Sequence, residues 1–88
     1  MTRFQDLIAR TYHLPQFNGM DCTLDRVAQY NGPDRWAIRR GACCLNHDGN
    51  WEYEPLPSSR TDEFFARCRF ATADEALAAW DRLLEVLS

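Results

Sequence analysis

The dipeptide Asp48-Gly49 constrains this chain more than any other feature. Flanked by alternating residues, an Asp-Gly pair is the signature of a two-residue type I′ hairpin loop, in which both loop residues need a positive φ. With these two as the loop, His47 faces Asn50, Asn46 faces Trp51, Cys44 faces Tyr53 and Cys43 faces Glu54. The period-two pattern then puts Trp36, Ile38, Ala42, Cys44, Trp51 and Tyr53 on one face. Arg35, Ala37, Arg39, Cys43, Leu45, Glu52 and Glu54 fall on the other. Turn chemistry and alternation give the same register, and a slip of one residue would exchange the faces. Pro55 and Pro57 end the strand, because neither can donate to a ladder.

The rest of the chain is read around this hairpin. "CTLDRVAQY" (22–30) fits a helix through Leu24, Val27 and Ala28 as well as a strand by alternation, and is taken as a strand because "NGPD" and then "RWAIRR" follow it. That loop sets Val27 opposite Ile38, Ala28 opposite Ala37, and Arg26 against Arg39. "TRFQDLIARTY" places Phe4, Leu7, Ile8 and Thr11 on one helical face, with Thr2 and Gln5 as a capping box and a break at Pro15 and Gly19. "SSRTDEFFARC" is expected to be a short helix capped by Ser59 or Thr61, with Asp62 and Glu63 in its first turn. Thr72 and Glu75 cap a last helix running to about Leu87, whose apolar stripe is Ala76, Leu77, Trp80, Leu83, Leu84 and Leu87. The expectation is one α+β domain spanning residues 1–88. A three-stranded antiparallel β-meander carries an N-terminal helix, a short helix and a long C-terminal helix, all packed on its aromatic face. The charged face is left to solvent or a partner.

Composition narrows the function. A net charge of −3 argues against a direct nucleic-acid or anionic-membrane partner, since both need a basic field. All ten basic residues are arginine, which a GC-rich coding bias explains most plainly and which also supplies a rigid fork able to pair carboxylates across a surface. No run approaches the roughly 20 apolar residues that span a bilayer. Cys22, Cys43, Cys44 and Cys68 follow an amphipathic start, not a leader, so a cytosolic chain with reduced thiols is expected.

Chemical sites are weighed against plainer roles. Cys43 and Cys44 are neighbours on a strand and point to opposite faces, so they cannot chelate together. Cys22, Cys44 and Cys68 could meet in the core, but without a C-x-x-C or H-x-x-H pair they read as small core residues, and no metal or cofactor is expected. In the predicted register Cys43 and His47 are about 13 Å apart along the strand, too far for proton transfer. His47 is expected to be a solvated turn residue. Glu52 and Glu54 share a face but lack a cleft, and read as acids answering Arg39 and Arg35. "SSRTDE" offers hydroxyls and an arginine at a helix start, yet Asp62 and Glu63 would repel a phosphate, so capping explains it better.

The segment "RWAIRRG…CLNHDGNWEYEPLPSSRTDEFFARCRFATADEA" resembles small proteins encoded by bacteriophages and prophages. Those carry a W-A-x-R-R strand followed by L-N-x-D-G-x-W-E-Y-E-P-x-P-S-S-R and a short acidic helix. The resemblance covers about residues 35 to 76 and implies a context in place of an activity. In that context small acidic proteins often inhibit host machinery, anti-CRISPR proteins among them, by occupying a protein surface. The expectation is a non-enzymatic binding module in the host bacterial cytosol. Its partner would be a host protein or complex, met by Arg39, Glu52, Glu54, Ser58, Ser59 and Arg60. The alternatives are a phage component that forms homo-dimers through the edge strand at Trp51 to Glu54, a small enzyme, or a zinc-stabilised domain.

Overall fold

In the computed structural model, residues 11–17, 19–28 and 32–87 are described. They form one five-stranded antiparallel sheet in sequential order, β1 (Thr11–Phe17), β2 (Met20–Val27), β3 (Arg35–Arg40), β4 (Cys43–Leu45) and β5 (Trp51–Tyr53). A 3-10 turn (Pro57–Ser59) leads to helix α1 (Asp62–Cys68), and helix α2 (Ala73–Leu87) follows. The meander therefore has five strands, not three, with two α-helices among the described residues. The expected first helix falls on residues 1–10, outside the described residues, while Thr11 opens β1.

Three corrections come from turn chemistry. Pro15 lies inside β1, a position open to proline because β1 is an edge strand; the β1–β2 register shifts there, between Leu14 and Phe17. The long central run is a hairpin, not one strand, because Gly41, at φ 59, starts a two-residue loop that folds Cys43 back onto Arg40. The 46–50 loop has three residues, not two. Asn46 N–H donates to the Asn50 carbonyl, Gly49 N–H donates to the Asn46 carbonyl, and Gly49 takes the left-handed conformation at φ 85. This is a turn closed by a glycine bulge, and it pairs Leu45 with Trp51, Cys44 with Glu52 and Cys43 with Tyr53. The β2–β3 register is also displaced: Leu24 faces Ile38, Asp25 faces Ala37 and Thr23 faces Arg39.

The helices lie on opposite faces of the sheet, not on one. Cys22, Leu24, Ile38 and Leu45 pack with Phe70, Ala76, Ala79 and Trp80, so α2 covers this face. Trp36 and Trp51 are half-buried against the same cluster. Tyr53 shares their face but is 67% exposed. On the other face Cys44 packs with Phe64 and Cys68, which places α1 there. β4 is too short to pair with the start of β3, and Phe70 takes the vacant place. Its N–H donates to the Trp36 carbonyl at 2.8 Å, and Trp36 N–H donates back at 2.8 Å.

The helix caps follow the sequence. Thr61 Oγ1 accepts from Phe64 N–H at 3.1 Å, and Thr72 Oγ1 accepts from Glu75 N–H at 3.1 Å. Glu75 Oε2 reaches back to Ala71 N–H, completing a capping box displaced by one residue. Ala76 and Trp80 are buried as the stripe requires, whereas Leu84 sits at its margin and is partly exposed.

Candidate functional site at the strand exit

Glu54 follows β5 on the α1 face, where its N–H still donates to the Ala42 carbonyl. Three guanidiniums converge on its Oε2: Arg39 Nη2 at 2.7 Å, Arg60 Nη2 at 2.7 Å and Arg69 Nη2 at 3.0 Å. Arg39 Nε also donates to Oε1 at 3.0 Å, and Arg39 Nη1 donates to Asp25 Oδ2 at 2.9 Å. The Glu54 side chain is 9% exposed and Arg69 not at all, while Arg39 and Arg60 keep 28% and 18%. Burial pushes the Glu54 carboxyl up, but the Arg39 hydrogen bonds and the Arg69 charge outweigh it and hold it below the usual carboxylate range. Burial likewise works against the Arg39 charge, and Glu54 and Asp25 more than compensate.

Arg69 was missed from sequence, although it stands between Cys68 and Phe70 in a segment with little polar company. Its Nη1 donates to the Cys68 carbonyl at 3.0 Å, and its guanidinium lies 5.3 Å from the Phe64 ring centre and 5.7 Å from that of Phe65. A buried arginine of this kind persists only with a paired carboxylate, and Glu54 supplies it.

Arg60 closes the strand exit. Its Nε donates to the Pro55 carbonyl at 2.8 Å while Nη2 holds Glu54, and Ser59 N–H donates to the Leu56 carbonyl at 2.8 Å. The bracket from Glu54 to Arg60 is thus pinned at both ends. It leaves Leu56 at 70% exposure, with Ser58 and Ser59 exposed beside it. Glu52 belongs to a different arrangement. It takes two-pronged hydrogen bonds from Arg67 at 3.1 to 3.2 Å and one from Asn46 Nδ2 at 2.7 Å, and both lower its pKa. Of the residues singled out from sequence, Arg39, Glu54 and Arg60 come together. Glu52 stands apart on Arg67, and Ser58 and Ser59 sit on the rim. Arg26 does not oppose Arg39; it faces Trp36 and binds Asp34 at 2.9 Å.

The remaining candidates have structural duties. Asn46 is buried and organises the loop, its Oδ1 accepting from Asp48 N–H and Asn50 N–H at 2.9 Å each. His47 Nε2 lies 2.7 Å from the Arg69 carbonyl, and since a carbonyl only accepts, Nε2 carries the proton. The ring rests 4.3 Å from Phe70, centre to centre, and borders shallow depressions of about 340 to 350 Å³ beside Glu75 and Arg82. Cys44 and Cys68 are buried in mutual contact, and burial raises both thiols. Cys22 is buried on the opposite face, so the three do not meet. Among the described residues, no group of three or more His, Cys, Asp or Glu could hold a metal ion, and no helix is long and apolar enough to cross a membrane. No known protein-family model, curated protein or solved structure matches the chain.

Proposed function

We propose that this chain is a non-enzymatic protein-binding module, a phage-encoded inhibitor that occupies a surface of a bacterial defence complex in the host cytosol. The pinned bracket at the strand exit carries the reading. Leu56 is 70% exposed on backbone that Arg60 closes onto Pro55 and Glu54. A large apolar side chain held out on rigid backbone loses little entropy on docking, which is what interface anchors require. Ser58 and Ser59, exposed beside it, add a polar rim. Arg39, Glu54 and Arg60 act as the frame of this surface, and Glu52 with Arg67 as its flank. The test is capture from bacterial lysate by the immobilised protein, quantified by mass spectrometry. Leu56→Asp should deplete the captured partner while far-UV circular dichroism stays native. Equal recovery from both proteins would remove the assignment.

A second reading, self-association through β5, is favoured by one observation. Residues 42 and 54, and 46 and 50, are joined by hydrogen bonds, so alternation turns the Tyr53 N–H and carbonyl away from β4. Sedimentation at micromolar concentration should then detect a homo-dimer that Tyr53→Pro dissolves without unfolding the chain.

A further inference from the structure

Two of the four thiols are set against each other in the interior. Cys44 on β4 and Cys68 at the end of α1 have no exposed surface, and with Phe64 they form the small core on the α1 face. The two side chains share a hydrogen bond, and Cys68 is also hydrogen-bonded to the Glu52 carboxylate. Cys22 lies in the other core across the sheet, and Cys43, the neighbour of Cys44 on β4, points to the opposite face. A bond between the paired sulfurs would therefore close the whole segment from 44 to 68. That segment holds the loop at Asn46, the strand exit and Arg60. Its last residue stands between Arg67, which binds Glu52, and Arg69, which binds Glu54.

We infer that Cys44 and Cys68 are a latent disulfide, closed by a hydroperoxide, that locks α1 onto the sheet beneath the strand exit. Burial pushes both thiols up, so at rest neither is a fast nucleophile. Cys44 is the first to react, because the Cys68 hydrogen bond and the Arg69 charge draw its thiol part of the way back down. Cys68 is held up by burial and further by Cys44 and Glu52. A peroxide is small enough to enter when the short helix α1 opens locally. The Cys44 thiolate attacks one peroxide oxygen and the O–O bond breaks. The departing hydroxide takes up the Cys44 proton as water, and a sulfenic acid is left on Cys44. The Cys68 sulfur then displaces that hydroxyl and the S–S bond forms. The leaving hydroxide becomes the second water with the Cys68 proton, relayed by the Glu52 carboxylate. Two thiols and one peroxide thus give one disulfide and two waters, and the two electrons lost by sulfur end on the peroxide oxygens. Neither step depends on the binding reading.

The experiment exposes the folded full chain to hydrogen peroxide and maps its disulfides by mass spectrometry of non-reduced peptides. Cys43→Ser removes the most accessible competing thiol, and the unaltered chain is treated in parallel. In both, the Cys44–Cys68 linkage should form as the main internal cross-link, more slowly than Cys43 is oxidised in the unaltered chain. Closing it should raise the thermal midpoint by roughly 10 °C, and a dithiol reductant should reverse that gain. Cys68→Ala should abolish both the cross-link and the gain. The mapping of the unaltered chain keeps its meaning even if that core variant fails to fold. A cross-link from either sulfur to Cys22 or Cys43, or sulfinic acid as the main product at the pair, would overturn the inference. So would a pair that oxidises only after urea has unfolded the chain, or a linkage that leaves the midpoint unchanged or lower.

Discussion

Arg69 Nη2 lies 3.0 Å from Glu54 Oε2, joining a guanidinium with no exposed surface to a carboxylate at the end of a strand. That one bond ties the end of α1 to β5 and makes each partner dependent on the other. Removing one member of such a pair leaves an uncompensated buried charge, which costs far more than the pair itself contributes. Glu54→Gln should therefore lower unfolding stability by about 3–5 kcal/mol in urea titrations. Arg69→Met together with Glu54→Gln should recover part of that loss. A Glu54→Gln variant as stable as the parent would show that the cluster is incidental.

The pH dependence follows from the same carboxylate. Its folded pKa is depressed, so its stabilisation is fully present above the unfolded value, about 4.3, and is lost as pH falls through the folded pKa. Glu52, depressed by Arg67 and Asn46, acts in the same direction. Thermal melts should thus change little on these groups' account from pH 7 to about 5 and fall below about pH 4. In Glu54→Gln the acid-side fall should be shallower.

Asn46 is the loop's organiser, with Oδ1 serving two N–H groups and Nδ2 fixing Glu52. Asn46→Ala would leave both N–H groups and the Glu52 carboxylate without this partner, at a cost of about 1–3 kcal/mol measured by chemical denaturation. Gly49→Ala should cost about 1 kcal/mol from strain alone, because the φ of 85 is disfavoured for alanine although space for the methyl exists. If Asn46→Ala proved no worse than Gly49→Ala, the side-chain network would not be what sets the loop.

The cysteines should separate by reactivity. Cys22, Cys44 and Cys68 are buried, with Cys44 and Cys68 also raised by burial, and Cys43 is partly exposed. Native protein treated with a thiol-specific chromogenic disulfide should release one equivalent quickly, lost in Cys43→Ser, and the other three only on unfolding. Fast modification of Cys68 in the native state would contradict its packing.

Much of the architecture was legible because local signals agreed. The α2 stripe and its Thr72–Glu75 box were readable from spacing alone, as was the Thr61 cap. The sheet was readable for a less direct reason. Reading 35–45 as continuous missed the reversal at Gly41, which inverts the parity of β4. Reading Asp48-Gly49 as a two-residue loop then shifted β5 by one, and the two slips cancelled. Trp51, Glu52, Tyr53 and Glu54 therefore face as expected, while Cys43, Cys44 and Leu45 exchange sides and Ala42 falls in the turn. The warning was Arg40, a charged residue breaking the series Trp36, Ile38, Ala42, Cys44 immediately before a glycine. β1 was hidden because Pro15 and Gly19 read as helix breakers, when an edge strand tolerates the first and a hairpin turn uses the second. The arginine cluster was hidden because it depends on α1 lying on the charged face. No periodicity within a seven-residue helix decides which face of a distant sheet it covers.

The paired hydrogen bonds of Phe70 with Trp36 have a mechanical consequence. The chain changes sides of the sheet at this residue, with α1 on one side and α2 on the other. The two outer layers are therefore fastened through the middle layer by a single rivet. Neither helix can be peeled away without loading the joint that also holds the other, so the three layers should come apart together.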